Sequence, residues 1–240
     1  TYFRIFLPSL LPNLDKILCL DSDSITVGSF KELYETDIQD YCCAGVLDTI
    51  SPYAKRLTQI PKQQNYINAG VLLLNLKKWR ENNLEEKFIN YLIKNEGKIK
   101  FPFDEQGIIN HFLDKNNILI IDPSYNLMHS FYLFNHESLL SWFGMKEYYN
   151  EEIIENAKKN PVFIHFADIC RQKPWLETRI KHKNHDLYKK YVDLTPFKDE
   201  IYIKDNRPIK LKIISLGIKI LPNRISSLFW RKYMEIFREK

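Results

Sequence analysis

The sequence predicts an α/β fold in which strands alternate with helices around one core. Apolar runs of four or five residues alternate with stretches in which apolar residues recur at helical spacing. Hydrophobic residues make up 45% and aromatic residues 14% of 240 residues, which is enough for a large core. The net charge of +5 is too small for a disordered chain. No stretch approaches the roughly 18 consecutive apolar residues of a membrane-spanning helix.

The individual elements follow in order from these patterns. Short apolar runs bounded by polar residues predict buried strands at Lys16–Leu20, Tyr41–Leu47, Val71–Asn75, Ile118–Ile121 and Val162–His165. Helical spacing predicts helices at Tyr2–Leu11, Phe30–Tyr34, Lys77–Asn95, Asp104–Phe112 and Glu151–Asn160. We expect Pro12 to end the first helix and Asn82-Asn83 to interrupt the long one.

Positive charge is concentrated at the C-terminus. Residues 201–240 contain ten basic and three acidic residues, so this segment is +7 and the rest of the chain is −2. Pro196 and Pro208 bracket the change in composition, and we predict a body at residues 1–195 and a basic amphipathic tail at residues 196–240. Because the body lacks a basic surface stripe, we expect no nucleic-acid partner.

The tail has the composition of a segment that binds a membrane surface. Apolar residues approach a helical stripe over residues 225–237, and Trp230, Tyr233 and Phe237 suit a bilayer interface. Basic residues near an anionic surface contribute about 1 kcal/mol each. We therefore expect peripheral binding to anionic membranes, with a helix folded back on the body, or one bound to a partner, as the alternative.

The cysteines and the N-terminal residues indicate where in the cell the protein is expected to act. The four cysteines form no CxxC pair, so we expect buried thiols in a reducing cytosol. The first residues do not have the pattern of a signal peptide. The expected location is cytoplasmic, on the inner face of the plasma membrane, and the lack of an initiator Met suggests a fragment or a processed product.

Two carboxylates, Asp21 and Asp23, directly follow the first predicted strand. In an extended segment, residues i and i+2 point to the same side, so both can reach one divalent cation and the phosphates that it carries. An Asx-turn or a solvated loop end is the alternative interpretation of Asp21-Ser22-Asp23.

His165 ends another predicted strand, and ligands gather at the carboxyl ends of strands in open α/β sheets. One imidazole added to two carboxylates suits Mn²⁺ better than Mg²⁺, although a lone core histidine is the alternative.

Lys173, followed by Pro-Trp, could neutralise a phosphate or simply lie on the surface. Asp104-Glu105-Gln106 could contact sugar hydroxyls, or its acids could merely favour a helix N-terminus.

Four segments together resemble the family 8 glycosyltransferases. They are Leu14–Ser24 with its DxD motif, Tyr66–Trp79 with Asn-Ala-Gly, Phe103–Asn110, and His165-Phe-Ala followed by Lys173-Pro-Trp175. They occur in the family's order over residues 1 to 180. The resemblance implies a GT-A-like mixed sheet flanked by helices, metal-dependent use of nucleotide sugars, and retention of anomeric configuration. Bacterial members often build lipopolysaccharide or other surface glycans. The family also has first strands upstream of this chain, so we expect a catalytic domain that lacks its N-terminal part.

The resemblance also implies roles for individual residues. Asp21, Asp23 and His165 match the metal ligands, for Mn²⁺ or Mg²⁺. The positions that match donor-binding residues are Arg4, Asp21, Ser22, Asn68, Ala69, Gly70 and Lys173. Gln106 matches the glutamine on the reacting face of the sugar, and Asp48 matches an acidic position that can face the acceptor. Either Asp104 or Glu105 could hold the donor sugar.

The implied reaction transfers a hexose, galactose or glucose, from a UDP-sugar to a hydroxyl of a glycan or lipid-linked acceptor. Gln106 is a poor covalent nucleophile, so we favour front-face attack in which the diphosphate accepts the proton of the acceptor. Two other classes stay open. One is a non-catalytic protein that binds a nucleotide sugar or acts as a scaffold. The other is a metal-dependent nucleotidyltransferase, which would normally need a Gly-rich phosphate loop that this sequence lacks.

Overall fold

The computed structural model describes residues 2–50, 52–57, 59–96, 104–143, 148–167, 170, 172–178, 181–199 and 203–228. Its strands are β1 (Lys16–Leu20), β2 (Ser24–Thr26), β3 (Cys43–Leu47), β4 (Ile67–Asn75), β5 (Ile118–Ile120), β6 (Leu127–Met128), β7 (Phe163–His165), β8 (Leu176–Glu177) and β9 (Ile203–Lys204). Its α-helices are α1 (Leu7–Leu10), α2 (Lys31–Glu35), α3 (Pro52–Leu57), α4 (Leu76–Glu81), α5 (Leu84–Lys94), α6 (Glu105–Phe112), α7 (Ser130–Leu133), α8 (His136–Phe143), α9 (Glu151–Lys159), α10 (His185–Val192) and α11 (Ile209–Ile220). Two 3₁₀ helices span Tyr2–Phe6 and Pro123–Asn126, and residues 223–228 are also helical.

Two sheets position the site described below. The larger sheet has the order β1-β4-β3-β5, with antiparallel pairs except for the parallel pair of β3 and β5. The smaller sheet has the order β2-β7-β6, in which β2 is antiparallel and β6 is parallel to β7. The mixed α/β architecture that the sequence predicts is therefore confirmed.

The central strand β4 is buried on both faces. Val71 and Leu73 belong to one apolar cluster, whereas Leu72 and Leu74 belong to the other, and all four are inaccessible to solvent. Because successive side chains of a strand point to opposite faces, a strand covered on both sides has an uninterrupted apolar sequence. This burial explains the run Val71–Leu74, which the sequence analysis interprets as a buried strand.

The structure corrects two of the predicted elements. The first helix is a 3₁₀ helix over Tyr2–Phe6 followed by α1, because Pro8 lacks the N–H that would continue an α-helical ladder. Strand β4 begins at Ile67 and not at Val71, so Asn68-Ala69-Gly70 lies within the strand. The predicted break in the long helix is confirmed at Asn83, which has φ 51° between α4 and α5.

The two strands that end beside the site do not belong to one open sheet. Leu20 and His165 end strands of different sheets, and Asp21 and Asp23 lie where the chain passes from β1 in the larger sheet to β2 in the smaller one. The two motifs come together because Ser24 of β2 pairs with His165 of β7.

The part of the C-terminal segment that the structure describes packs on the body. Ile214 and Ile218 of α11 belong to the cluster that also contains Val71 and Leu73. The opposite side of α11 is exposed at Ile209, Ile213 and Ile220. Among the described residues, no helix is long and apolar enough to cross a membrane. The predicted stripe from residue 229 onward lies outside the described residues.

Candidate active site

The Asp21-Ser22-Asp23 turn is fixed by backbone contacts to both sheets. The N–H of Asp21 donates to Gly70 O of β4 at 2.8 Å, and Asp23 O accepts from the N–H of Phe166 at 2.9 Å. The hydroxyl of Ser24 donates to Asp21 O at 2.6 Å. These contacts leave Asp21 and Asp23 half-buried at the junction of the two sheets, with Ser22 exposed between them.

His165 completes a cluster of possible metal ligands. Its Nε2 lies 3.2 Å from Asp23 Oδ1 and 3.5 Å from Asp21 Oδ2, and the residue is buried. Ligand atoms of Asp21, Asp23 and His165 all lie within 4.8 Å of one another. Two carboxylate oxygens and one imidazole nitrogen at this separation fit a divalent ion such as Mn²⁺.

Two cations contact the carboxylates. Lys173 Nζ donates to Asp23 Oδ2 at 2.6 Å and to Phe166 O at 2.8 Å. Arg4 donates to Asp21 and, at 2.7 Å, to Glu105 of α6. Burial raises the pKa of Asp23, but the hydrogen bonds and charges of His165 and Lys173 lower it by more, so its pKa lies well below the usual value. Asp23 is therefore ionised and available to a cation at neutral pH.

Gln106 lies against the strand that carries Asn68, Ala69 and Gly70. Its Oε1 accepts from the N–H of Ala69 at 2.8 Å, and its Nε2 donates to Asp48 Oδ2 at 2.7 Å. Asn68 Nδ2 donates to the same oxygen of Asp48 at 3.1 Å. Burial raises the pKa of Asp48 above its usual value, although the hydrogen bonds from Asn68 and Gln106 act in the opposite direction.

The structure thus places the candidate residues in two adjoining groups. The first contains Arg4, Asp21, Asp23, Glu105, His165 and Lys173, and the second contains Asp48, Asn68, Ala69, Gly70 and Gln106. Arg4 and Gly70 join them, because Arg4 reaches α6 and Gly70 O holds Asp21. Asp104, next to Glu105, is exposed.

Sequence reasoning missed two buried asparagines that support this site. Asn110 accepts from the N–H of Ile67 at 2.7 Å and donates to Ile67 O and Gln106 O, which fixes α6 to β4. Asn126 lies between His165 and Asn68. Both are inaccessible to solvent, whereas an asparagine in a sequence usually indicates a turn or a surface. The signal that could have found Asn110 is its position four residues after Gln106, on one face of a predicted helix.

Comparisons with known proteins find one family model and several proteins that resemble this chain. The model of the family described as Glycosyl transferase family 8 matches residues 1–179. General stress protein A of Bacillus subtilis (strain 168) is 25% identical over 201 residues, which are 81% of this chain and 65% of that protein. Lipopolysaccharide 1,2-glucosyltransferase of Escherichia coli (strain K12) is 27% identical over 207 residues, which are 83% of this chain and 55% of that protein.

A solved structure shows the same fold. The galactosyltransferase LgtC, in complex with donor and acceptor sugar analogs, matches with a TM-score of 0.61 and 21% identity, over 81% of this chain and 66% of that chain. The chain thus spans 55–65% of the length of the two curated relatives. The likeness to LgtC identifies the mixed sheets flanked by helices as a GT-A-like fold. With the family match covering three quarters of its residues, the chain belongs to glycosyl transferase family 8.

Proposed function

We propose that this chain is the catalytic part of a metal-dependent retaining glycosyltransferase. It moves a hexose, galactose or glucose, from a UDP-sugar to a hydroxyl of a glycan or lipid-linked acceptor during synthesis of a cell-surface polysaccharide. Membership of family 8 supports the class of reaction. The likeness to a glucosyltransferase of E. coli and to the galactosyltransferase LgtC supports the two sugars.

The observation that carries this proposal is the cluster of Asp21, Asp23 and His165 beside Lys173. The three ligands would hold Mn²⁺, or Mg²⁺, which when bound neutralises charge on the diphosphate of the donor. Lys173 is within reach of the same region, and its ammonium group would stabilise the charge that develops on the leaving diphosphate.

The sugar would lie along Asn68, Ala69 and Gly70, facing Gln106. Arg4, Asp21 and Ser22 would complete the donor site next to the metal ligands. Of the two acids before Gln106, Glu105 is buried and bound to Arg4, whereas Asp104 is exposed. This difference favours Glu105 as the carboxylate that orients the sugar.

Gln106 distinguishes between the two routes by which the anomeric configuration can be retained. Its amide is a weak nucleophile, and its oxygen already accepts a hydrogen bond from Ala69. We therefore favour front-face attack, in which the acceptor hydroxyl bonds to the anomeric carbon as the bond to the diphosphate breaks. The proton of that hydroxyl passes to a diphosphate oxygen. Asp48, next to Gln106, would orient the acceptor.

Release of UDP tests the reaction. The protein, supplied with Mn²⁺, UDP-galactose or UDP-glucose, and a glycan or lipid-linked acceptor, should release UDP and give a glycosylated acceptor with the anomeric configuration of the donor. Asp23→Ala should remove UDP release. Asp15→Ala is the matched control, because Asp15 precedes the same strand and pairs with Arg80 at 2.9 Å, away from the site. Equal rates in the two variants would contradict the assignment.

The same assay separates the alternatives. A protein that only binds nucleotide sugars would bind UDP with Mn²⁺ and release none from the donor. A nucleotidyltransferase would release diphosphate from a nucleoside triphosphate, not UDP from a UDP-sugar. Either result would replace the proposal.

We also propose that the C-terminal segment binds anionic membranes on the cytoplasmic side. Ile209, Ile213 and Ile220 of α11 are 69%, 62% and 69% exposed. Lysine side chains at residues 210, 212 and 219 alternate with these apolar residues. Apolar residues at an exposed surface with basic neighbours suit the boundary between lipid headgroups and acyl chains.

Liposome co-sedimentation tests the membrane proposal. The protein should sediment with anionic vesicles at low salt, and binding should weaken at high salt and after deletion of residues 201–240. Ile213→Glu combined with Ile220→Glu should also weaken it. Leu194→Glu, at an apolar residue that is 80% exposed outside α11, serves as the control. Equal sedimentation of all variants would contradict membrane binding by the C-terminal segment and would leave the catalytic assignment unaffected.

A further inference from the structure

Asn126 connects the proposed metal ligand to the sugar-facing strand. It is the last residue of the 3₁₀ helix Pro123–Asn126 and is inaccessible to solvent. Its Oδ1 lies 2.9 Å from His165 Nδ1, and its Nδ2 lies 2.8 Å from Asn68 Oδ1. The side-chain amide therefore bridges the metal cluster and the group around Asp48.

The position of Asn126 is itself fixed. Asp122 caps the 3₁₀ helix by accepting from the N–H of Ser124 at 2.8 Å. The carbonyl of Ser124 accepts from the N–H of Val162 at 2.9 Å, directly before β7. The Asp122 side chain and this backbone hydrogen bond thus hold the turn that carries Asn126 against the strand that ends at His165.

The backbone N–H of Gly70 determines the direction of the hydrogen bonds that link Asn68, Asn126 and His165. The N–H of Gly70 can only donate, so the atom of Asn68 that lies 2.8 Å away is its oxygen. The nitrogen of Asn68 then faces the carboxylate of Asp48, which accepts from it at 3.1 Å. The contacts to Gly70 and to Asp48 therefore require the same orientation of the Asn68 side-chain amide.

The same reasoning passes from Asn68 to His165. Asn68 Oδ1 is an acceptor, so Asn126 must present its NH₂ group there and its oxygen to His165. An amide oxygen cannot donate, so His165 must donate from Nδ1. With Nδ1 committed to this bond, Nε2 is the nitrogen that faces Asp21 and Asp23, and it is the one that can bind a cation in place of a proton.

We propose that Asn126 is a positioning residue that holds His165 in the tautomer and orientation needed to bind a divalent cation. The proposal rests on the metal site of the proposed function. A ring nitrogen aimed at the same space as two carboxylates suits a shared cation, which would take the place of a proton on Nε2. Removing the partner of a metal-binding histidine typically weakens metal affinity about 10- to 100-fold.

The first measurement is the affinity for Mn²⁺ alone, read from the EPR signal of free Mn²⁺. Asn126→Ala should weaken binding about 10- to 100-fold. Asn75→Ala is the matched control, since Asn75 also uses both ends of its amide, to Ile38 O and to the N–H of Lys78, at the far end of β4. It should lower stability and leave Mn²⁺ affinity unchanged. Loss of affinity in both variants would assign the effect to general destabilisation and overturn the proposal.

The second measurement reads the tautomer directly and needs neither metal nor donor. Nitrogen-15 NMR of the histidine rings should show a proton on His165 Nδ1, the nitrogen that faces Asn126 Oδ1. The signal is assigned among the six histidines by its loss in His165→Asn. Asn126→Ala should move protons to Nε2, whereas Asn126→Asp, which keeps an acceptor for Nδ1–H, should retain the parent tautomer.

The outcomes separate this proposal from the catalytic one. A parent ring without a proton on Nδ1, or an Asn126→Ala ring with the parent tautomer and parent Mn²⁺ affinity, would overturn the role of Asn126. The expected tautomer and Mn²⁺ results, without UDP release from any UDP-sugar, would uphold Asn126 and contradict the transferase.

Discussion

At the scale of single residues, Gly70 is the point where β4 contacts the cluster of possible metal ligands formed by Asp21, Asp23 and His165. A Cβ at this position would lie 2.3 Å from His165 Nδ1 and Cε1 and 2.7 Å from Asn68 Oδ1. Only glycine allows the ring to lie this close to the strand, because His165 and Asn68 are both held by other hydrogen bonds.

We predict that Gly70→Ala displaces His165. Mn²⁺ affinity should fall about 10- to 100-fold, and the free energy of unfolding should fall by about 1–3 kcal/mol because the added methyl overpacks the site. Metal titration and chemical denaturation measure the two effects.

Gly217→Ala is the matched control for that substitution. In α11, a Cβ at Gly217 would meet its nearest heavy atom, Leu221 Cδ1, at 4.0 Å. It should raise the free energy of unfolding by about 0.5–1 kcal/mol, since alanine favours helix interiors over glycine, and leave Mn²⁺ affinity unchanged. Normal Mn²⁺ affinity in Gly70→Ala would show that the close approach to His165 is not required.

A second residue-scale prediction separates the two acids before Gln106. Asp104 has φ 50° and ψ −123°, a conformation that favours glycine, whereas Glu105 is buried and bound to Arg4. Asp104→Gly should raise the free energy of unfolding by about 1 kcal/mol through relief of strain and retain UDP release. Glu105→Gln should lose most of the release. The reverse pattern of UDP release would assign the sugar to Asp104.

At the scale of elements, Lys55 of α3 stabilises the connection to β4. This lysine is inaccessible to solvent, and its Nζ donates to Lys62 O at 3.1 Å and to Gln64 O at 2.7 Å. Burial lowers the pKa of Lys55 to about 8 from 10.5. The connection leads directly to Tyr66 and to the strand that carries Asn68.

Lys55 should therefore make stability depend on pH in a defined window. Between pH 8 and 10.5 the unfolded chain binds more protons at this lysine than the folded chain does, so the contribution of Lys55 to stability increases with pH and is complete above that window. Denaturation of the parent and of Lys55→Met across this range measures the difference between them. A constant difference would contradict the shifted pKa.

Elements with an uninterrupted local pattern could be predicted from the sequence, and those that depend on distant partners could not. Strand β1 matches its predicted bounds, and Val71–Asn75 was found because both faces are apolar. The start of β4 was missed because Asn68 and Gly70 are atypical of strands. Their polar groups are paired with Asp48, Asn126 and each other, which no local pattern indicates.

At the scale of the whole molecule, the site lies at the junction of two sheets. The sequence indicated that Asp21, Asp23 and His165 follow or end strands, but not that these strands lie in different sheets. Strand β2 has three residues, too few for periodicity to reveal it. The residues at strand ends could therefore be predicted, whereas the buried amide of Asn126, which joins His165 to Asn68, could not.

The central claim is that Asp21, Asp23 and His165 form a metal site that binds the diphosphate of a nucleotide sugar. Calorimetric titration of UDP into the natural protein, with and without Mn²⁺, tests it most directly. The parent and Asp15→Ala should bind UDP only with Mn²⁺, whereas Asp23→Ala and His165→Ala should remain folded, by circular dichroism, and lose this binding. Unchanged Mn²⁺-dependent UDP affinity in both site variants would contradict the account.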